Sequence, residues 1–272
     1  MTLGCRHPLE IYSSTHAGSY SERLRTDSDM NSRSPIAFVV ARMSSSRFPG
    51  KSLAPFGDDV VLGYVTSAIK QCVNISDLVV VTSVDPSDNE IVEWCGSRGL
   101  AVTRGSLQNV AERVLEAAQE SRASAFVRVS GDSPLIDPCL VDYAVDVFRT
   151  DDYDVVTNVF PRTFPRGQSV EVVRTASLAE AYSDGLTAFE EEHVTQVFYQ
   201  HSERFDINNF EVADLVGLND LTWGATGVHL AVDDPSDLAR CEHVIRALGS
   251  FRPWDAGWVA CSQIALGMEG PS

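Results

Sequence analysis

Ile36-Ala37-Phe38-Val39-Val40-Ala41-Arg42-Met43-Ser44-Ser45-Ser46-Arg47-Phe48-Pro49-Gly50-Lys51 changes character within a few residues. Residues 36–40 are an apolar run that reads as a buried strand. Residues 41–51 then gather two arginines, a lysine, three serines and a glycine in one loop. Small side chains let backbone N–H groups approach a ligand, and the cations neutralise charge, so a loop of this kind at a strand's end suits a polyphosphate. A solvated surface loop has the same composition, and the neighbouring chain must decide between them. Gly50-Lys51-Ser52 resembles the end of a P-loop, but the earlier glycine is missing because position 45 is serine. No strand is followed by G-x-G-x-x-G, so a dinucleotide fingerprint is absent as well.

Outward from this stretch, helix and strand patterns alternate. Val61, Leu62, Val65, Ala68, Ile69 and Cys72 recur at helical spacing. A buried strand is expected at 77–82, and a helix opens at Asp85-Pro86-Ser87-Asp88 and stops at Gly99. Residues 100–102 read as a third strand, 109–121 as a helix, 125–129 as a fourth strand, and 140–148 as an amphipathic helix. The order predicts a three-layer α/β/α fold with a mostly parallel sheet. Ligands in such sheets sit beyond the C-terminal strand ends. The polar clusters fall there: Arg42 to Lys51, Thr82-Ser83, Arg104 and Asp132. The second half is less regular. Strands are expected at 153–158, 169–173 and 227–232, an edge strand at 205–210, and helices at 175–184, 189–201 and from Asp233-Asp234-Pro235 to about 248. Trp254 and Trp258 lie in an apolar stretch that packs on the domain or on a second subunit. Residues 1–34 read as a flexible extension, 35–250 as the folded domain, and 251–272 as a C-terminal extension.

The 272 residues carry 38 acids against 21 lysines and arginines, a net charge of -17. That excess speaks against nucleic acid or an anionic membrane as the main partner. Only two residues are lysines, and one of them, Lys51, falls in the cationic loop. The six cysteines are scattered without a C-x-x-C pair, which argues against zinc and for a reducing cytoplasm. No apolar run has the length of a membrane span. Asp132 and Asp233 each follow a strand pattern. Either is explained by capping, but two acids facing a cationic loop fit Mg²⁺-assisted phosphoryl or nucleotidyl transfer. Three acids before His193 suit a helix start.

These residues resemble the cytidylyltransferases of the spore-coat-polysaccharide F type and, more distantly, CMP-Kdo and CMP-sialic acid synthetases. Ala41 to Lys51 matches A-R-M-x-S-x-R-x-P-G-K. Arg104-Gly105-Ser106 matches R-G-S, and Val127 to Pro138 matches V-R-x-x-G-D-x-P-L-I-D-P. Asn158 with Pro161-Arg162-Thr163-Phe164-Pro165 resembles S-N…P-R-T-Y-P. Glu192-His193-Val194-Thr195 matches E-H-V-T, and Val232 to Leu238 resembles V-D-T-P-E-D-L. The resemblance implies a Rossmann-like nucleotidyltransferase fold of the GT-A-like kind, CTP as donor, Mg²⁺ as cofactor, and a homodimer. It implies a nucleotide site of Ala41, Arg42, Met43, Ser44, Arg47, Lys51, Thr82, Ser83, Arg104, Ser130 and Asp132. Within it Arg42, Arg47, Lys51 and Asp132 are catalytic, and Asp132 and Asp233 ligate the metal. The acceptor side would hold Arg128, Asn158, Arg162, Glu171 and His193. Where the family often reads D-G-x-D-V-E, this chain has Arg166-Gly167-Gln168-Ser169-Val170-Glu171. Loss of two acids and gain of Arg166 favour an anionic acceptor, such as a sugar acid, sugar phosphate or phosphonate. The rival readings are a glycosyltransferase of related fold, which needs no grip on pyrophosphate, and a nucleotide-binding protein without catalysis.

Overall fold

The computed structural model describes residues 34–215 and 227–267. The extension expected at the N-terminus lies outside them except for Ser34, as do the last five residues. The central sheet has seven strands: β1 (Ile36–Val40), β4 (Asp77–Ser83), β5 (Ala101–Gly105), β6 (Ala125–Ser130), β7 (Val155–Thr157), β8 (Glu171–Arg174) and β9 (Ile207–Asn209). β2 (Pro55–Phe56) and β3 (Asp59–Val60) form a separate small hairpin. The spatial order is β5-β4-β1-β6-β8-β7-β9. β5, β4, β1 and β6 run parallel, β8 is antiparallel to both its neighbours, and β7 and β9 are parallel.

Alternation along each strand builds the two faces. Ala37 and Val39 of β1, Leu78 and Val80 of β4, and Val127 and Val129 of β6 face one layer. That layer holds α1 (Val61–Ile69), α2 (Asn89–Ser97) and α4 (Pro138–Phe148). Phe38, Val79, Val81 and Phe126 face the other, which holds α3 (Val110–Glu120), α5 (Thr175–Ser183), α6 (Ala188–His193) and α7 (Gln196–Gln200). Phe38 and Phe126 stack there with ring centroids 5.2 Å apart. A short helix α8 (Val212–Leu215) follows β9, and two longer ones, α9 (Pro235–Leu248) and α10 (Pro253–Ala265), close the described chain. Trp258 of α10 is buried against Phe164, with centroids 5.3 Å apart. α10 is interrupted at Gly257 (φ 80°), where the Trp258 N–H donates to Asp137 at 3.0 Å.

Two expected elements differ. The helix expected over 189–201 is two short helices, broken at Val194, whose φ is +43°. Val194 is wholly buried, and the break lets the Thr195 hydroxyl donate to Glu171 at 2.6 Å. The strand expected over 227–232 forms no ladder. Val228, Leu230 and Val232 are buried as a strand's inward residues would be, but the backbone makes only an isolated bridge between Arg166 and His229 and one bond from Val232 to the Asp132 carbonyl.

After β1 the chain builds leftward through β4 to β5, then returns to place β6 on β1's other side. This reversal makes the C-terminal ends of β1 and β6 the switch point where a crevice opens.

Candidate active site

The loop after β1 occupies one side of that crevice. Its backbone curls back on itself: the Gly50 N–H donates to the Met43 carbonyl at 2.8 Å and the Lys51 N–H to Phe48 at 3.2 Å. Gly50 adopts φ 79°, a left-handed conformation that suits glycine. Two side chains pin the entry. Asp88, fully buried, accepts the Met43 N–H at 2.7 Å, and the Ser52 hydroxyl donates to the Arg42 carbonyl at 3.0 Å. The loop's cations are thereby presented from a fixed backbone.

Asp132 comes from the end of β6, two residues beyond Ser130. The Gly131 N–H donates to Val40 at 2.8 Å, tying the ends of β1 and β6 together. Asp233 arrives from a distant part of the chain. The Val232 N–H donates to the Asp132 carbonyl at 2.8 Å, which brings the two aspartates side by side. Lys51 lies between them, its Nζ 2.5 Å from Asp132 Oδ2 and 3.2 Å from Asp233 Oδ1. Arg47 Nη2 reaches the same Asp233 oxygen at 3.1 Å. Arg42 extends across the crevice to Glu192 at 3.4 Å. Two carboxylates converging on one ammonium are a hard-oxygen donor set, and they fit Mg²⁺, which takes one or two carboxylates together with substrate phosphates and water.

The remaining expected residues divide by burial. Ala41 is buried and contributes backbone, its N–H donating to Val81 at 3.1 Å. Ser44 is exposed at the loop tip, and Ser130 is half-buried at the end of β6. Thr82 and Ser83 are fully buried. Ser83 therefore acts through Asp88, to which both its N–H and its hydroxyl donate. Arg104 donates to the carbonyls of Ser83 at 2.8 Å and Asp85 at 3.1 Å, bracing the turn after β4.

On the acceptor side, Asn158 and Glu171 are both buried and bonded internally. Asn158 is fully buried, donating to the Gln168 carbonyl at 2.7 Å and accepting the Val170 N–H at 2.9 Å, so it holds the loop's shape. Glu171 is buried with both oxygens occupied. One accepts from Thr195 and Tyr199, each at 2.6 Å, and the other from Arg128. Burial opposes its charge, but Arg128 and the two hydroxyls outweigh that and hold the carboxyl below its usual range. Arg162 donates Nη2 to Ser169 at 3.0 Å, while its Nη1 is buried without a hydrogen-bond partner. Burial lowers the Arg162 pKa against the attraction of Glu171, and repulsion from Arg166 lowers it further. Arg166 is exposed, and His193 packs edge-on against Phe189 at 4.5 Å.

Sequence reasoning missed Asp88, which reads as one more cap in Asp85-Pro86-Ser87-Asp88. It also missed Tyr199, His229 and Asp237. The Asp237 carboxylate accepts the Asp233 N–H at 3.1 Å and serves a capping box with Asp234.

A cationic loop facing paired aspartates at the switch point of a largely parallel sheet defines a nucleotidyltransferase. Residues 36–234 match the cytidylyltransferase family, and the chain belongs to it. The spore coat polysaccharide biosynthesis protein SpsF of Bacillus subtilis is 28% identical over 187 residues, covering 66% of this chain and 76% of SpsF. The structure of a cytidylyltransferase from Leptospira borgpetersenii has a TM-score of 0.77 at 26% identity, covering 88% of this chain and 98% of that one. The structure of CMP:2-keto-3-deoxy-manno-octonic acid synthetase complexed with CTP has a TM-score of 0.59 at 19% identity, covering 78% and 98%, a likeness of fold. The family's reaction transfers CMP from CTP to an acceptor. Among the described residues no helix is long and apolar enough to cross a membrane.

Proposed function

We propose that this cytidylyltransferase is Mg²⁺-dependent and transfers CMP to a small anionic acceptor, a sugar acid, sugar phosphate or phosphonate. The observation that carries the reading is Lys51 seated between Asp132 and Asp233 beside Arg47. When bound, the divalent cation polarises the phosphate oxygens and offsets charge on them. Everything else falls to the chain. The acceptor oxygen attacks the α-phosphorus, the bond from that phosphorus to the bridging oxygen breaks, and pyrophosphate leaves. Arg42, Arg47 and Lys51 neutralise the charge building on the leaving group from a backbone already fixed by Asp88. Arg128 is matched by Glu171, so the positive charge of the acceptor wall comes from Arg162 and the exposed Arg166. An acidic acceptor group gives the Arg162 guanidinium an anion to pair with, beyond its bond to Ser169.

The test is a pyrophosphate-release screen with Mg²⁺ and CTP, UTP, ATP or GTP, against keto-sugar acids, sugar phosphates, phosphonates and neutral sugars. Fastest turnover with CTP and an anionic acceptor is expected, and preference for neutral sugars overturns the acceptor class. Turnover without pyrophosphate favours a glycosyltransferase, and binding without turnover favours an inactive protein. A reducing cytoplasm is the proposed location, on the scatter of the six cysteines without a C-x-x-C pair. Sedimentation equilibrium reads the oligomeric state, for which the family resemblance points to a homodimer.

A further inference from the structure

The segment that delivers Asp233 carries another polar side chain four residues earlier. Val228, Leu230 and Val232 turn into the core, and the intervening His229 turns the other way, half-buried between two carboxylates. Its Nε2 lies 3.5 Å from Asp233 Oδ2, and its Nδ1 lies 3.5 Å from Asp237 Oδ1. The two acids are not equivalent partners. Asp237 Oδ1 already accepts from Arg240 at 2.6 Å, and its Oδ2 accepts the N–H groups of Asp233 at 3.1 Å and Asp234 at 3.2 Å. Asp237 is neutralised and fully engaged, so the His229–Asp233–Asp237 cluster is not read as a second cation site.

Asp233 differs. Its Oδ1 faces Lys51 and Arg47, and its Oδ2 faces only the imidazole among the pairs described. The Nε2 of His229 is shut off from water and makes no hydrogen bond among the described residues, Asp233 Oδ2 standing 3.5 Å from it. A neutral imidazole has a single N–H to donate, and a buried one left unpaired is costly. The backbone that carries the ring is braced from behind. The Leu230 N–H donates to the Arg166 carbonyl at 2.7 Å, the Arg166 N–H donates to Val228 at 3.1 Å, and Arg240 donates to the His229 carbonyl at 3.4 Å. The backbone carrying the imidazole is thus held by the acceptor-side loop, with Nε2 3.5 Å from a carboxylate that also faces Lys51. Carboxylates that ligate metals depend on such outer hydrogen bonds for their orientation.

We propose that His229 is a positioning residue. With the cation bound, its unpartnered Nε2–H closes onto Asp233 and fixes the orientation in which Asp233 and Asp132 face that one ion. The proposal rests on the reading of those two aspartates as cation ligands.

The test is a Mn²⁺ titration, followed by the electron paramagnetic resonance of free Mn²⁺, on the full chain with CTP and no acceptor. His229→Ala is expected to weaken Mn²⁺ binding about tenfold. His229→Gln keeps an N–H donor at similar reach and is expected to stay within about threefold of the unaltered protein. In turnover assays the alanine variant lowers kcat while KM for CTP moves less than about twofold, since the CTP-gripping cations are untouched. Unchanged Mn²⁺ affinity in His229→Ala overturns the proposal. So does a glutamine variant as weak as alanine, which assigns the residue to packing. If the alanine variant melts below the assay temperature, His229→Asn, with its shorter reach, replaces it under the same expectations. Asp132→Asn separates the levels. Undiminished Mn²⁺ binding there removes the cation reading and this proposal with it, whereas loss there with none in His229→Ala removes this proposal alone.

Discussion

Lys51 stands 2.5 Å and 3.2 Å from two carboxylates with 13% of its side chain exposed, so little solvent screens the three charges. One ammonium here separates two acids that repel each other, and in the proposed reaction it also supplies a cation for pyrophosphate. Lys51→Met removes both effects, and kcat/KM for CTP in pyrophosphate release is expected to fall about 100–1,000-fold, the range seen when a preorganised charge partner is lost. Lys51→Arg should recover only part, because a planar fork does not replace a compact point charge between two acids. Glu171 poses a different question, since its charge is buried and internally matched. Glu171→Gln leaves Arg128 without its anion and is expected to cost about 3 kcal/mol in urea unfolding. The pH dependence carries a sign. The folded carboxyl lies below its ordinary value of 4.5, so its contribution is complete above that value and is lost as pH falls through the lower folded one. The variant's stability should therefore decline less steeply than the unaltered protein's below about pH 4.5. Parallel acid limbs would show that Glu171 is not the group responsible.

At the level of elements, the site depends on how the segment before Asp233 docks on the acceptor loop. Gly167 lies at that contact with φ +95°, and a Cβ there would come 2.5 Å from the Leu230 carbonyl carbon, which is backbone and cannot swing away. Gly167→Ala is expected to lose about 2–4 kcal/mol by thermal unfolding, combining backbone strain with overpacking. Turnover should fall further than stability explains, since Asp233 moves with the segment. Wild-type turnover in a destabilised variant would show the docking to be structural only. This contact also marks where sequence reading stops. The strands β1, β4 and β6 and the polar clusters at their ends were legible because apolar runs and polar strand ends are local signals. The direction of β8 was not, since strand polarity leaves no local signature. Val194 offered no hint of a break, being a β-branched residue held at positive φ by burial and by Thr195's bond to Glu171. Val228, Leu230 and Val232 alternate as a strand does, yet only a loop lies beside them to pair with. Asp88 and His229 were hidden for a related reason: each acts on a residue far from it in the chain, or across a turn that caps and pins alike.

Across the whole molecule, 38 acids outnumber 21 cations, yet the site's acids carry their own counter-charges from Lys51 and Arg47. The core clusters lie on both faces of the sheet and use none of these residues. A bound cation should therefore serve the reaction and not the fold. Chelation of divalent metal is expected to abolish pyrophosphate release while moving Tm by less than about 1 °C when free Mg²⁺ without nucleotide is kept near or below its Kd, where linkage contributes little. Nucleotide and metal together should behave otherwise. At a free concentration of about 100 Kd, linkage contributes about 2.7 kcal/mol, or roughly 5–10 °C in Tm for a chain of this size. CTP with chelator should give a smaller rise, since the phosphates then meet Asp132 and Asp233 without an intervening cation. Scanning calorimetry on the full chain under four conditions, with and without CTP and with Mg²⁺ or chelator, separates these terms. A drop of several degrees on chelation alone would make the cation a structural element. Equal rises for CTP with and without Mg²⁺ would mean that Lys51, Arg47 and Arg42 hold the triphosphate unaided, with the aspartates turned away from it.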